Sequence, residues 1–474
     1  MIKVSAINSK NFTNYKVYAI IIVNLEILIT EQGGLRMIQS HTLKKRDSYL
    51  NKLIAFQDTE PVKVITGIRR CGKSSLLQLM AEHLKTNGRT DDQIIEMNFE
   101  SYAFKDMTAD DVYRYVQERV VSGKRMYLFL DEIQRVKGWE NTVNAFRVDI
   151  DCDIYITGSN AYLLSSEYAT YLSGRCIEIK MLPLSFAEFI SFHGFEVRET
   201  KSALGGTRRR AYDSSGEAYE LEEMFASYLR FGGMPGIADV GLDQERALTL
   251  MDGIYSTVVV RDILEREKRR GQRQITDAVL LRKIILFLAD NIGSNISVSS
   301  IGNVLVNEGL LDDGRKTVPS SHTVQAYVDA LLEAYFFYEV KRFDIKGKEY
   351  LRTLGKYYLV DIGLRNYLLG YRDRDSGHIL ENIVYLELLR RGYDVAIGKA
   401  GNSEIDFIAV NANEKIYFQV TESMRSETVR ERELAPLRKI RDNYKKIILS
   451  TDTGLENEFE GIESLNVISW LLDK

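Results

Sequence analysis

From residue 61 the chain alternates short runs of β-branched and large apolar residues with longer segments whose apolar positions recur every three to four residues. The short runs predict five strands, at residues 62–66, 94–99, 126–130, 154–157 and 176–181, with a helix-length stretch between each pair. Parallel strands need crossover helices, so this spacing predicts a doubly wound α/β domain with a parallel sheet covered on both faces. After residue 192 the pattern dissolves into the polar stretch 199–220, which predicts a loop or linker. Helical periodicity then resumes in segments 221–229, 245–255 and 258–269, the makings of a helical lid. Residues 278–345 read as several short helices followed by a hairpin-like pair, with a helix at 323–334 leading into a strand at 336–342. That order is the pattern of a winged helix, although Asp329 and Glu333 leave the would-be recognition helix with little basic charge.

A length of 474 residues suggests about three domains at roughly 150 residues each. With 45% hydrophobic and 27% charged residues, the composition excludes a fibrous or wholly disordered chain. The 63 Lys+Arg against 67 Asp+Glu give a net charge of -4, which excludes a polycation built to coat nucleic acid and leaves only a local basic patch open. Three scattered cysteines, Cys71, Cys152 and Cys176, form no CxxC pair and fit a reducing, cytoplasmic setting rather than a disulfide or zinc scaffold. The apolar stretch 17–30 is interrupted by Asn24 and Glu26, falls short of the ~20 residues that span a bilayer and has no cleavage signature, so no membrane partner is expected. Met37 opens a more ordinary amphipathic start. Residues 1–36 are therefore either an upstream extension or one extra strand or helix.

Directly after the first predicted strand stands Gly67-Ile68-Arg69-Arg70-Cys71-Gly72-Lys73-Ser74, followed by Ser75 and a helical run. This is GxxxxGK[ST] in its strand–loop–helix context. The glycines let consecutive backbone N–H groups face phosphate oxygens, and the following helix adds the positive end of its dipole. Lys73 is expected on the β and γ phosphates of ATP and Ser74 on magnesium. The run 126–130 ends in Asp131-Glu132. Asp131 is the expected carboxylate of the magnesium site, and Glu132 stands where a general base can orient the attacking water.

Together with these motifs, YITGSNAYLL, LSGRCIEIKMLPLSFAEF and YLRFGGMPG resemble the AAA+ ATPases of a bacterial and archaeal family whose ATPase core precedes a conserved C-terminal region of unknown function. The resemblance covers about residue 37 to the C-terminus. It implies a γ-phosphate sensor at Ser159 or Asn160, with Asn160 preferred, and an arginine finger at Arg175 aimed at a neighbouring subunit, hence a homo-oligomer. Arg230 or Arg261 would reach the phosphates from the lid. Further on, the spacing of Glu381, Asp406 and Gln419 resembles the PD-(D/E)xK nuclease core, which gathers acidic groups on magnesium. Thr421 stands where that pattern has its lysine. Glu404 is a neighbour or alternative ligand, and Lys399 or Lys415 are the candidate substitutes for the missing cation.

The implied organisation is an extension at 1–36, an AAA+ core at 37–200, a lid and linker at 201–275, a winged-helix-like domain at 276–350 and a nuclease-like α/β domain at 351–474. The expected function is a magnesium-dependent ATPase acting as a switch or motor on DNA or a protein partner. An ATP-gated nuclease is the alternative. A scaffold that holds ATP without turnover is disfavoured, because Lys73, Asp131 and Glu132 are all present.

Overall fold

The computed structural model describes residues 26–29, 35–38, 43–161, 174–201, 207–264, 275, 277–307, 319–372, 375–454 and 458–473. The chain divides into two units, Met1–Lys44 and Lys45–Lys474. In the first, strands β1 (Glu26–Ile29) and β2 (Leu35–Ile38) pair antiparallel. The expected boundary at 36/37 therefore cuts through a strand.

In the second unit, β3 (Val62–Thr66), β4 (Ile94–Asn98), β5 (Met126–Asp131), β6 (Cys152–Gly158) and β7 (Cys176–Lys180) form one parallel sheet in the order β4-β5-β6-β3-β7. Every residue of β3 and β5 is buried, as expected of a sheet covered on both faces. One face packs Val64, Leu128, Leu130 and Ile156 against Val112, Val116, Val143 and Phe146 of the crossover helices Ala109–Gln117 and Trp139–Asp149. This is the doubly wound arrangement expected from the spacing. Its central strands β3 and β5 end side by side with β6, where the order of connections reverses and open α/β sheets place their ligands.

The polar stretch is more ordered than a linker. Strands β8 (Glu196–Lys201), β9 (Thr207–Tyr212) and β10 (Ala218–Tyr219) make an antiparallel sheet in the order β10-β9-β8. Arg208 and Arg210 pair with Glu220 at 2.8 and 2.7 Å, and Arg209 pairs with Glu199 at 2.8 Å and Asp473 at 2.5 Å. Cross-strand charge pairing makes a strand look like solvated loop in the sequence. The segments expected to form a lid are helices Leu221–Phe231 and Gln244–Ser256 and a π-helical segment Thr257–Leu264; residues 265–269 of the expected third helix lie outside the described residues.

Helices Ala278–Asp290, Val298–Asn307 and Ser321–Glu333 precede β11 (Phe337–Asp344) and β12 (Glu349–Leu359). This hairpin is not a free wing. Together with β13 (Asp394–Ala400), β14 (Ser403–Val410), β15 (Lys415–Val420), β16 (Lys445–Ser450), β17 (Glu458–Phe459) and β18 (Ile462–Asn466) it builds a sheet of eight strands ordered β12-β11-β13-β14-β15-β16-β18-β17. The expected boundary at 350/351 therefore divides a strand. The cause is packing: Tyr358 of β12 stacks on Tyr385 of helix Ser376–Arg390 at 4.6 Å, and Tyr385 on Phe407 of β14 at 6.0 Å. Among the described residues, no helix is long and apolar enough to cross a membrane.

Candidate functional site

The loop between β3 and helix Lys73–Thr86 is shaped by glycine. Gly67 has φ +143°, and a Cβ there would lie 2.2 Å from the carbonyl oxygen of Met181, so the loop fits against β7 only without a side chain. Gly72 has φ +103° and Arg70 φ +65°, which turns the intervening backbone inward. The Lys73 ammonium is buried and donates to the carbonyls of Gly67 and Ile68 at 3.0 and 3.1 Å. The loop is braced from behind by Arg46, which donates to Cys71 O at 3.0 Å and Leu182 O at 2.8 Å and pairs with Glu188 at 2.7 Å. Ser74 and Ser75 lie in the first turn of that helix.

Asp131 ends β5 facing the loop. Its carboxylate accepts from Thr157 Oγ1 at 2.5 Å and Asn98 Nδ2 at 2.9 Å, and the Ser74 hydroxyl is near enough to help hold its pKa down. Burial raises its pKa, against those hydrogen bonds and the charge of Lys73. Glu132, at φ +57°, donates its backbone N–H to Thr157 Oγ1 at 2.9 Å, while its carboxylate accepts from Ser159 Oγ at 3.3 Å and from Gln134. Thr157 thus locks the two acidic residues in different directions. Neither Thr157 nor Asn98 stands out in the sequence, where a strand threonine and a strand-end asparagine look ordinary. Ser159 is the sensor candidate whose bond to Glu132 is resolved; Asn160 is buried beside it.

The arrangement fits a magnesium nucleotide: an inward-turned loop with glycine at its tight points, a buried ammonium on the loop carbonyls, and a serine hydroxyl near a buried carboxylate. Arg175 is exposed and stands at the other end of the sheet, its carbonyl accepting from Val62 N at the start of β3. One strand of five residues, about 15 Å at ~3.3 Å per residue, separates it from its own phosphate loop. Arg230 donates to Gln244 at 2.7 Å, and the side chain of Arg261 lies outside the described residues. A lid residue that sequence reasoning missed does reach the loop: Asp262 holds Arg69 Nε at 3.2 Å.

The lid is joined to the C-terminal half by a clasp. Asp361, fully buried, accepts from Gly233 N at 2.6 Å and Leu364 N at 3.0 Å, and Leu184 N, just beyond β7, donates to Gly233 O at 2.7 Å. Asn366 donates to Leu229 O and Arg230 O, both at 2.9 Å.

In the C-terminal sheet, Glu381 and Asp406 are brought together with Glu404, but around an ammonium. Lys356 of β12 lies 2.8 Å from Glu381, 2.9 Å from Glu404 and 4.0 Å from Asp406. Burial lifts the pKa of Asp406 well above its ordinary value, with the charge of Glu381 adding to it. Gln419 turns to Glu433 at 2.9 Å instead, and Thr421 is buried with its N–H on Leu449 O. Lys415 lies over the rings of Tyr417 and Tyr444, and Lys399 pairs in register with Glu404 along the strand edge. Among the described residues, no three His, Cys, Asp or Glu side chains stand as a metal cage. Lys356 is the cation paired with Glu381 and Glu404 in this cluster, where the resembling pattern has its lysine.

The fold and the phosphate loop define a P-loop ATPase-like protein of the AAA class. An AAA domain model matches residues 59–190, and a model for a domain of unknown function, DUF8612, matches residues 222–375. An uncharacterised protein of Haemophilus influenzae is 40% identical over 91% of this chain and all of its own length, and one of Methanocaldococcus jannaschii is 31% identical over 83% of both chains. The chain belongs to the family of these two proteins. Among solved structures, the Walker-type ATPase PABY2304 of Pyrococcus abyssi is 17% identical, with a TM-score of 0.45 over 68% of this chain and 95% of that one. The Orc1 protein of Aeropyrum pernix, in complex with DNA, is 12% identical with a TM-score of 0.29 over 69% and 94%.

Proposed function

We propose that this chain is a magnesium-dependent ATPase of the AAA+ type, working as a nucleotide-controlled switch or motor on a partner held by its C-terminal half. The observation that carries this reading is the convergence of Lys73, Ser74, Asp131 and Glu132 at the ends of β3 and β5, with Thr157 Oγ1 donating to the Asp131 carboxylate and accepting from the Glu132 backbone N–H. Residues 67–75 would wrap the phosphates of ATP through their backbone N–H groups, and Lys73 would exchange its loop carbonyls for β and γ oxygens. Ser74 and Asp131 are the residues to hold magnesium, which when bound neutralises charge on the phosphates. Glu132, oriented by its bond to Thr157, would accept the proton of the attacking water. Arg175 lies a strand length from its own loop and can serve only the nucleotide of a second copy, which makes a homo-oligomer part of this reading.

The test is steady-state ATP hydrolysis with and without duplex and single-stranded DNA, using Lys73→Ala as the blank. A Lys73-dependent rate is the expected result. Stimulation by DNA would make nucleic acid the partner, whereas a rate indifferent to DNA would point to a protein. The absence of any Lys73-dependent turnover would overturn the reading.

Lys356 supplies the cation that Thr421 lacks, but it engages both Glu381 and Glu404 and Gln419 is turned away to Glu433, so the nuclease reading stays second to the ATPase. Supercoiled DNA incubated with the protein and magnesium or manganese is accordingly expected to remain uncut with ATP present or absent. Nicking that disappears in Asp406→Asn would reverse this conclusion.

A further inference from the structure

Four side chains from four segments form a continuous run of ion pairs across the mouth of the phosphate loop. Arg135, just after Glu132, holds Glu100 at 2.7 Å; Glu100, beyond β4, holds Arg69 at 2.9 Å; Arg69, inside the loop, holds Asp262 of the lid at 3.2 Å. The last pair is largely shielded from water, with side chains 12% and 11% exposed. Asp262 does not face Arg69 alone. Burial raises its pKa against the charge of Arg69, and it lies near enough to Glu132 and Lys73 for their charges to act on it in opposite directions. It also sits in the π-helical segment Thr257–Leu264, a rare backbone form that concentrates at functional sites.

We propose that Asp262 makes the site discriminate ATP from ADP, by holding Arg69 to the lid until a γ phosphate competes for that guanidinium and repels the carboxylate. The proposal rests on the ATPase reading and adds the residue that senses which nucleotide is bound. A γ phosphate brings negative charge to the neighbourhood of Lys73 and Glu132, whose charges already act on Asp262, and offers Arg69 a pair of oxygens for bidentate bonding. ADP brings neither. Release of Asp262 frees the π-helical segment, which continues from helix Gln244–Ser256. That helix is tied to the C-terminal half through Asp252, which accepts from Tyr367 OH at 2.5 Å, and through Tyr255, which packs on Phe336 and Tyr367 at 6.2 and 5.8 Å. The γ phosphate therefore has a physical route to the partner-binding half.

The experiment measures the affinity of the full chain for a non-hydrolysable ATP analogue and for ADP, in wild type and in Asp262→Asn, which keeps the shape and an acceptor oxygen for Arg69. Removing a partly buried like charge should tighten ATP-analogue binding by about three- to tenfold and leave ADP within a factor of about two. A companion measurement, hydrogen exchange of the wild type, should show residues 257–264 exchanging faster with the ATP analogue than with ADP. Equal shifts for both nucleotides, weaker ATP-analogue binding in the variant, or identical exchange with the two nucleotides would each overturn the proposal. Failure of the wild type to bind either nucleotide would instead sink the ATPase reading itself.

Discussion

Glu132→Gln should lower ATP turnover by about 10²–10⁴-fold while leaving ATP bound, the range typical of removing a general base. Glutamine has the same shape, keeps an oxygen for Ser159 Oγ and leaves the Glu132 backbone bond to Thr157 untouched, so the site should stay assembled. What it loses is the capacity to take a proton from water. Lys73→Ala should behave differently, because the ammonium is the buried cation that faces the phosphates; nucleotide affinity and turnover should both collapse. Nucleotide binding and single-turnover phosphate release, measured on both variants, separate the two roles. A Glu132→Gln protein that retains more than about a tenth of wild-type turnover would remove Glu132 from the chemistry.

Gly363→Ala should destabilise the chain by about 3 kcal/mol or more, among the largest effects of any single methyl group in it. A Cβ at this position would lie 2.2 Å from the carbonyl oxygen of Phe231 and 2.8 Å from Met251 Cε, and the first of these is backbone that cannot move aside. Gly377→Ala, with open space around its Cβ, is the matched control and should be neutral. The same clasp carries a pH dependence. Burial raises the Asp361 pKa to about 6, against several backbone hydrogen bonds that lower it. A raised folded-state pKa means that the folded chain holds this proton more tightly than the unfolded chain. The associated stability is thus fully present below about pH 4 and is lost as pH rises through about 6. Denaturant midpoints across that window should show a falling component that Asp361→Asn flattens; a rising component tied to Asp361 would contradict the assignment.

The parallel sheet was legible because its strands are continuous apolar runs and its crossover segments keep a helical period. The phosphate loop was legible because glycine, lysine and serine occur there at a fixed spacing after a strand. Thr157 was not, since a β-branched residue inside the run 154–157 looks like strand filler until β5 and β6 lie side by side. Asp262 was hidden in a lid segment whose charge gave no direction, and its meeting with Arg69 depends on tertiary closure. Lys356 escaped for a related reason. Lys399 and Lys415 are near Thr421 in sequence, whereas β11 bonds β12 on one side and β13 on the other, bringing Lys356 in from an earlier hairpin. That long-range parallel pairing also explains the misplaced boundary at 350/351, because a hairpin carries in its own sequence no sign of the third strand it will join.

The proposed function requires one magnesium-dependent ATP site between Lys73 and the Asp131–Glu132 pair. The most direct measurement is phosphate release from ATP in a single turnover, with magnesium and with chelator, for wild type beside Lys73→Ala. Release that requires both magnesium and Lys73 is the expected result. Release that persists without Lys73, or none from the wild type at any magnesium concentration, would contradict the account.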